Sequence, residues 1–159
     1  MLKIRPTIRA DYQFILNILT RTGNFTPDEI KIADELLNSY FTQSVESGYW
    51  TYTAVDEKIA GYICYGPTPL TTGTFDVYWI AVDPVLQGKG IGSEMLSFAE
   101  NDISGHKGRL VTIYTSSQEK YSPTRDFYLK RDYREGARIR DYYRPGDDLV
   151  IYVKQISED

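Results

Sequence analysis

The stretch YWIAVDPVLQGKGIGSEML (residues 78–96) passes from apolar to glycine-rich to amphipathic within nineteen residues. Gly88, Gly90 and Gly92 fall at alternate positions, with Lys89 between the first two. Glycine costs backbone entropy, so three placed together mark a backbone shape that other residues resist. A strand that ends in such a turn and opens a helix is a generic anion site. The first helical N–H groups lack intrahelical acceptors, and the helix dipole puts positive character there. Successive bare amides can form a concave nest, to which Lys89 would add charge. The plain alternative is a tight strand–helix connection with no ligand.

The neighbouring sequence narrows which phosphate compound such a turn would hold. A nucleotide P-loop needs G-x-x-x-x-G-K-[ST], which does not occur. The dinucleotide fingerprint G-x-G-x-x-G is broken, because Ser93 stands where its third glycine should be. That fingerprint also belongs to an early βαβ unit, whereas this turn follows an apparent antiparallel meander.

Working outward, LKIRP (residues 2–6) reads as a first strand. A helix follows with Phe14, Ile15, Ile18 and Leu19 facing inward, and Gly23 ends it. A second helix starts with Thr26 as cap, Pro27 in its first turn and Glu29 completing a capping box. Its inward stripe is Ile30, Ala33, Leu37, Tyr40 and Phe41. YWTYTAV and KIAGYICYG form a hairpin around Asp56 and Glu57, and a third long strand runs from Thr74 to Val82. The helix after the glycine turn repeats Ile91, Met95, Ala99 and Ile103 at helical spacing. RLVTIYTS is a further strand, and SPTRDFYLKRD a short helix with Ser122 as cap. The strands GARIRDYY and LVIYVKQI close the chain around RPGDD. No repeat, low-complexity tract or linker interrupts it, so residues 1–159 read as one domain. The order β-α-α-β-β-β-α-β-α-β-β predicts an α+β sheet with helices on its faces.

These residues resemble a known family. VDPVLQGKGIG matches the V-x-P-x-x-Q/R-x-x-G-x-G/A signature of the GNAT superfamily, the acyl-CoA-dependent N-acetyltransferases. TRDFYLKRDY is similar to the family's A-x-x-F/L-Y-x-x-x-G-F segment, with Thr124, Phe127, Tyr128 and Tyr133 in register. The resemblance covers nearly the whole chain. It implies a mixed, largely antiparallel sheet of about seven strands with about four helices, in which strands four and five splay apart to form an acyl-CoA cleft. It implies that the amides of Gln87, Gly88, Lys89, Gly90, Ile91 and Gly92 cradle the CoA pyrophosphate. Ser93 would add a hydroxyl contact, and the pantetheine arm would pair with the backbone of Ile80, Ala81 and Val82. Pantetheine carries amides, so an opened strand edge offers matching donors and acceptors. Two positions depart from the pattern: Asp132 stands where the family has glycine, and Tyr121 replaces an asparagine that often contacts CoA.

Acetyl transfer needs a neutral amine, a stabilised oxyanion and a protonated leaving thiolate. A backbone N–H near Val82 would serve the oxyanion if the strand is bulged or splayed there. Tyr128 occupies the family's general-acid position, with plain core packing as the alternative. Asp76 is the candidate base, since alternation puts it on one face with Tyr78 and Ile80; the alternative is a solvated carboxylate at the strand end. His106, the single histidine, sits in a loop-like SGHKG and is set aside, and with one cysteine no metal constellation is visible. Cys64, in a strand-like run, reads as a buried structural thiol and fits a reducing cytoplasm.

Composition bounds the remaining classes. With 42% hydrophobic and 25% charged residues the chain is globular and not disordered. No apolar run is long enough to span a bilayer, and no signal peptide opens the chain, so a cytoplasmic location is expected. A net charge of -4 argues against a nucleic-acid binder. Residues 120–144 hold eight basic and four acidic side chains, while residues 11–57 hold eight acidic and two basic ones. The bland reading is solvated surface. The sharper one puts the anionic cosubstrate by the former and a cationic amine by the latter. The expectation is therefore an N-acetyltransferase using acetyl-CoA and no metal on an amine-bearing small molecule or peptide, with homodimer formation open because pairing is common in the family. A non-catalytic acyl-CoA-binding module is the rival from another class, and a nucleotide-dependent enzyme a more distant one.

Overall fold

Gly23 closes the first helix in the left-handed conformation, at a φ of 71° that glycine adopts without steric cost. Three residues on, the Thr26 side chain accepts the Glu29 N–H at 3.1 Å and starts the second. With local signals of this kind, the computed structural model describes residues 1–156 as β1 (Lys3–Pro6), α1 (Tyr12–Thr22), α2 (Pro27–Gln43), β2 (Trp50–Asp56), β3 (Lys58–Pro67), β4 (Thr74–Val82), α3 (Ile91–Gly105), β5 (Leu110–Ser116), α4 (Ser122–Leu129), β6 (Arg134–Arg144) and β7 (Asp147–Gln155). The strands form one sheet in the order β1-β2-β3-β4-β5-β7-β6. Every neighbouring pair is antiparallel except β4 and β5, which run parallel. The expected α+β arrangement of seven strands and four α-helices is what the chain adopts.

A separate apolar cluster covers each face of the sheet. On one, Ile91, Met95, Leu96, Ala99 and Ile103 of α3 pack with Phe75, Val77, Val111 and Ile113 of the sheet and with Tyr128 of α4. On the other, Ile15, Ile18 and Leu19 of α1 and Ala33 and Leu37 of α2 pack against Tyr62, Cys64 and Ala81. Each fully buried Ile, Leu, Val or Met side chain among these is worth about 1.5–3 kcal/mol in transfer terms. Cys64 is a buried free thiol, as its strand context implied.

Two local expectations are corrected. Phe14 points outward and is 58% exposed. It lies one helical step, about 100°, off the stripe that Ile15, Ile18 and Leu19 define. Ser122 is not the cap of α4. Tyr121 takes that position, with no side-chain capping bond, and Ser122 is the first helical residue.

A third correction shapes the site. In the β3–β4 register Cys64 faces Trp79 and Tyr65 faces Val77, which leaves Tyr78 as a bulge. The extra residue flips the alternation of β4. Before it, Phe75 and Val77 face α3; after it, Ile80 and Val82 pack on that side and Trp79 and Ala81 turn toward α1 and α2. Asp76 and Ile80 therefore do not share a face, since simple alternation fails across a bulge.

Candidate active site

The parallel pairing of β4 with β5 covers only four residues, from Thr74 opposite Leu110 to Val77 opposite Ile113. Beyond Val77, β4 continues along β3 and β5 continues along β7. The sheet parts at this point and opens a cleft of about 680 Å³. Its walls are the freed ends of β4 and β5, the glycine turn, α4 and the loop between α1 and α2. The Asp83 N–H donates to Ala60 O of β3 at 2.8 Å. Strand alternation then turns the N–H and C=O of Val82 and Ile80 away from β3, toward the gap. Gln87 Nε2 reaches back to the Val82 carbonyl at 3.5 Å.

At one end of the gap lies the glycine turn. Gly88 and Gly90 take φ values of 81° and 83°, and a Cβ on either would meet nothing within 4 Å. These two glycines are required by backbone conformation and not by crowding. Gly90 is the N-cap of α3 and has no side-chain cap. Its carbonyl accepts the Glu94 N–H at 3.0 Å, so the N–H groups of the first turn start without intrahelical partners. Gly92 is different. A Cβ there would come 3.3 Å from the ring of Phe127, so its bareness serves the close packing of α3 on α4. Gln87, Gly88, Gly90, Ile91, Gly92 and Ser93 all line the cleft, as do Ile80, Ala81 and Val82. Lys89 does not, and it is exposed.

Asp83 anchors the base of the turn. Its buried carboxylate accepts two bonds from the Arg21 guanidinium, at 3.2 and 3.0 Å, and one from the Val85 N–H at 3.1 Å. Burial works to raise its pKa, but Arg21 and the Val85 amide outweigh that and hold it below the usual carboxylate range. The last turn of α1 is thereby tied to the start of the glycine turn.

Tyr128 lies in the cleft wall, only 3% exposed. Burial pushes its phenol above its ordinary value near 10, because the charged form is the one that desolvation penalises. Among the described residues its hydroxyl makes no hydrogen bond. It is a neutral donor held at the gap. Asp76 is placed elsewhere. It does not line the cleft, and its carboxylate accepts the hydroxyls of Thr68, at 2.6 Å, and Thr112. What it faces is Tyr78, a cleft residue whose phenol is raised by burial first and by the Asp76 carboxylate second.

The far end of the cleft is closed by the loop between α1 and α2 and by the β6–β7 hairpin. Phe25 meets Trp79 edge-on at 5.3 Å. Tyr121 donates to Asn24 O at 2.9 Å, which links that loop to the segment before α4. Of the acidic side chains among the described residues, only Glu29 and Asp147 line the wall. Asp147 is buried, accepts the Ser116 hydroxyl and lies 3.5 Å from Arg144. Of the eight acidic residues in 11–57 only Glu29 lines the cleft; Asp11 pairs with Arg5, and Asp34 accepts from Tyr12 and Asn38. Sequence reasoning missed the Arg21–Asp83 tie and the Tyr121 bridge, because nothing in local spacing pairs residues so far apart. His106 is an exposed residue at the end of α3, its ring tilted against Trp50 at 4.8 Å, and it does not line the cleft.

A family model for the acetyltransferase (GNAT) domain matches residues 46–135, more than half of the chain. A crystal structure of a protein from Desulfovibrio desulfuricans, described as an acetyltransferase of the GNAT family, superimposes with a TM-score of 0.95 at 37% identity, covering 99% of this chain and 100% of that one. The chain belongs to the GNAT acetyltransferase family. An N-acetyltransferase of Methanocaldococcus jannaschii is 24% identical over 135 residues, 79% of this chain and 82% of that protein. The PaiA N-acetyltransferase of Thermoplasma acidophilum, solved in complex with coenzyme A, shares the GNAT fold at 18% identity, with a TM-score of 0.73 over 98% of this chain and 99% of that one. Among the described residues no helix is long and apolar enough to cross a membrane, and no cluster could hold a metal ion.

Proposed function

We propose that this GNAT protein transfers an acetyl group from acetyl-CoA directly to the primary amine of a small molecule or peptide. The observation that carries the reading is the parted β4/β5 pair, with a glycine turn at one end and a buried, protonated tyrosine in the wall. The residues present fit the cosubstrate. Gly88 and Gly90 leave open space in front of unpartnered amides, and the gap offers strand backbone to an amide-bearing arm. When bound, acetyl-CoA supplies an activated thioester. The first-turn amides of α3, with Gln87, Gly88, Gly90 and the Ser93 hydroxyl, hold the diphosphate; Lys89 contributes at most a charge near the turn's outer side.

The N–H groups of Ile80 and Val82 serve the pantetheine amides and the oxygen that gains charge during attack. Such fixed donors need no reorganisation, which makes them effective stabilisers of developing charge. Tyr128 keeps a proton at its Oη and donates it as a hydrogen bond to the departing sulfur. Its raised pKa favours hydrogen bonding over full proton release. Asp76 acts behind Tyr78, orienting that phenol toward the acceptor. The proton that the amine loses as the C–N bond forms passes to water in the open cleft. The thiolate freed from the broken C–S bond leaves hydrogen-bonded to Tyr128 and is protonated by solvent. Glu29 and Asp147 at the far end give a cationic acceptor two carboxylates to approach.

The test is release of the CoA thiol from acetyl-CoA across a panel of aminoglycosides, polyamines, amino acids and peptides. Release that depends on one class of amine supports the transferase. Tight acetyl-CoA binding with no release by any amine would favour a binding module instead.

A further inference from the structure

Three cations line the cleft: Lys120, Arg131 and Arg144. Arg144 lies within ion-pair distance of Asp147, and Lys120 sits over the Tyr121 ring at 4.8 Å. Arg131 differs from both. Its guanidinium carbon lies 3.7 Å from the centroid of the Phe127 ring, and Nη1 donates to the Phe127 carbonyl at 2.8 Å. Its Nε is buried without a partner, and no carboxylate among the described residues lies within ion-pair distance. A side chain of this length usually loses much rotamer entropy when it grips a ligand. Here the ring and the carbonyl have already fixed it, so an un-neutralised, partly desolvated fork is held ready at the cleft wall. Arginine is the residue whose planar donors match phosphate in two places at once.

Phe127 also sets where that phosphate lies. The edge of its ring is the surface against which Gly92 packs, at 3.3 Å from an added Cβ, while Arg131 covers its face. Arg131 is therefore one aromatic ring removed from the first turn of α3. Amides in that turn suit the bridging diphosphate; a guanidinium one ring away suits a second, separate phosphate on the same ligand. We infer that Arg131, stacked on Phe127, binds the terminal phosphomonoester of the cosubstrate, the 3′-phosphate of CoA, and makes this protein discriminate against acyl carriers that lack it. The inference rests on the acyl-CoA reading above. A phosphomonoester carries more charge than a phosphodiester, so it gains most from a cation that has no competing carboxylate.

The experiment compares CoA with 3′-dephospho-CoA by isothermal titration, using the native chain, Arg131→Met and Arg131→Lys. A charge-assisted contact of this kind corresponds to about a 10- to 100-fold preference. The native protein should prefer CoA by that factor. Arg131→Met should bind both ligands alike, at the level the native protein shows for 3′-dephospho-CoA, and Arg131→Lys should restore part of the preference. Equal binding of both ligands by the native chain, or a preference that survives in Arg131→Met, overturns the assignment while leaving the acyl-CoA reading intact. Native protein that binds neither ligand removes both.

Discussion

Burial holds the Tyr128 phenol above its ordinary value near 10, so the proton that any tyrosine carries at neutral pH is here kept into more alkaline solution. The donor form is fully present below that value and is lost only as pH rises through the still higher folded pKa, so no alkaline fall in kcat below pH about 10 is assignable to this residue. Tyr128→Phe keeps the ring in its packing site and removes a hydroxyl that makes no hydrogen bond among the described residues. The melting temperature should change little, while kcat falls about 100-fold, within the range removal of a positioned proton donor produces. A variant with native kcat would assign Tyr128 to packing alone. Asp132 shows how a departure from the family pattern is absorbed by the backbone. It takes the left-handed conformation, at a φ of 69°, where the family has glycine. Asparagine and aspartate are the side chains that tolerate that region best.

At the scale of elements, the glycine turn is held by two devices that separate in experiment. Gly90→Ala forces a side chain into a φ of 83°, while its Cβ meets no protein atom. That conformation costs a residue with a Cβ about 1 kcal/mol or more. Stability should drop by about that amount, and KM for acetyl-CoA should rise more than tenfold because the methyl group stands in front of the first-turn amides. Asp83→Asn keeps an acceptor for the Val85 N–H but loses the ion pair with Arg21. The Asp83 carboxyl is held below its ordinary value. The stability it provides is therefore full above about pH 4 and is lost as pH falls through the folded value. Arg21 is half exposed, so the native protein should exceed Asp83→Asn in stability by about 1 kcal/mol at neutral pH, and the gap should close in acid. Urea titrations at neutral pH and in strong acid measure both ends. A gap that does not shrink would contradict the role given to the carboxylate.

Over the whole molecule, what could be read from the sequence was what local chemistry decides. Gly23, Thr26 and the glycine turn announce their elements because each solves a problem of backbone bonding within a few residues. Thr74–Val82 was legible as a strand from its residue types alone. The face each residue of that strand presents was not, because the bulge at Tyr78 exists only through pairing with Cys64 and Tyr65. Simple alternation joins Asp76 to the face of Ile80, which the bulge prevents, and helical spacing turns Phe14 inward because a stripe of four leaves its flanks undefined. The acidic count of residues 11–57 was a poor guide to the cleft, since most of those carboxylates point elsewhere and several already have partners. Arg131 drew notice only as one charge in a basic segment. Its distinction is the company it keeps, an aromatic face and no carboxylate, which composition does not record.

The proposed acetyl-CoA site is the gap where β4 leaves β5, with the diphosphate on the glycine turn. Hydrogen–deuterium exchange with and without saturating acetyl-CoA tests it most directly. Exchange should slow at Ile80 and Val82, whose N–H groups face the gap, and in residues 87–93 around the turn, while the far edge formed by β1 and β2 stays unchanged. Protection confined to other segments, or none at these two while the ligand is bound, would contradict the claim.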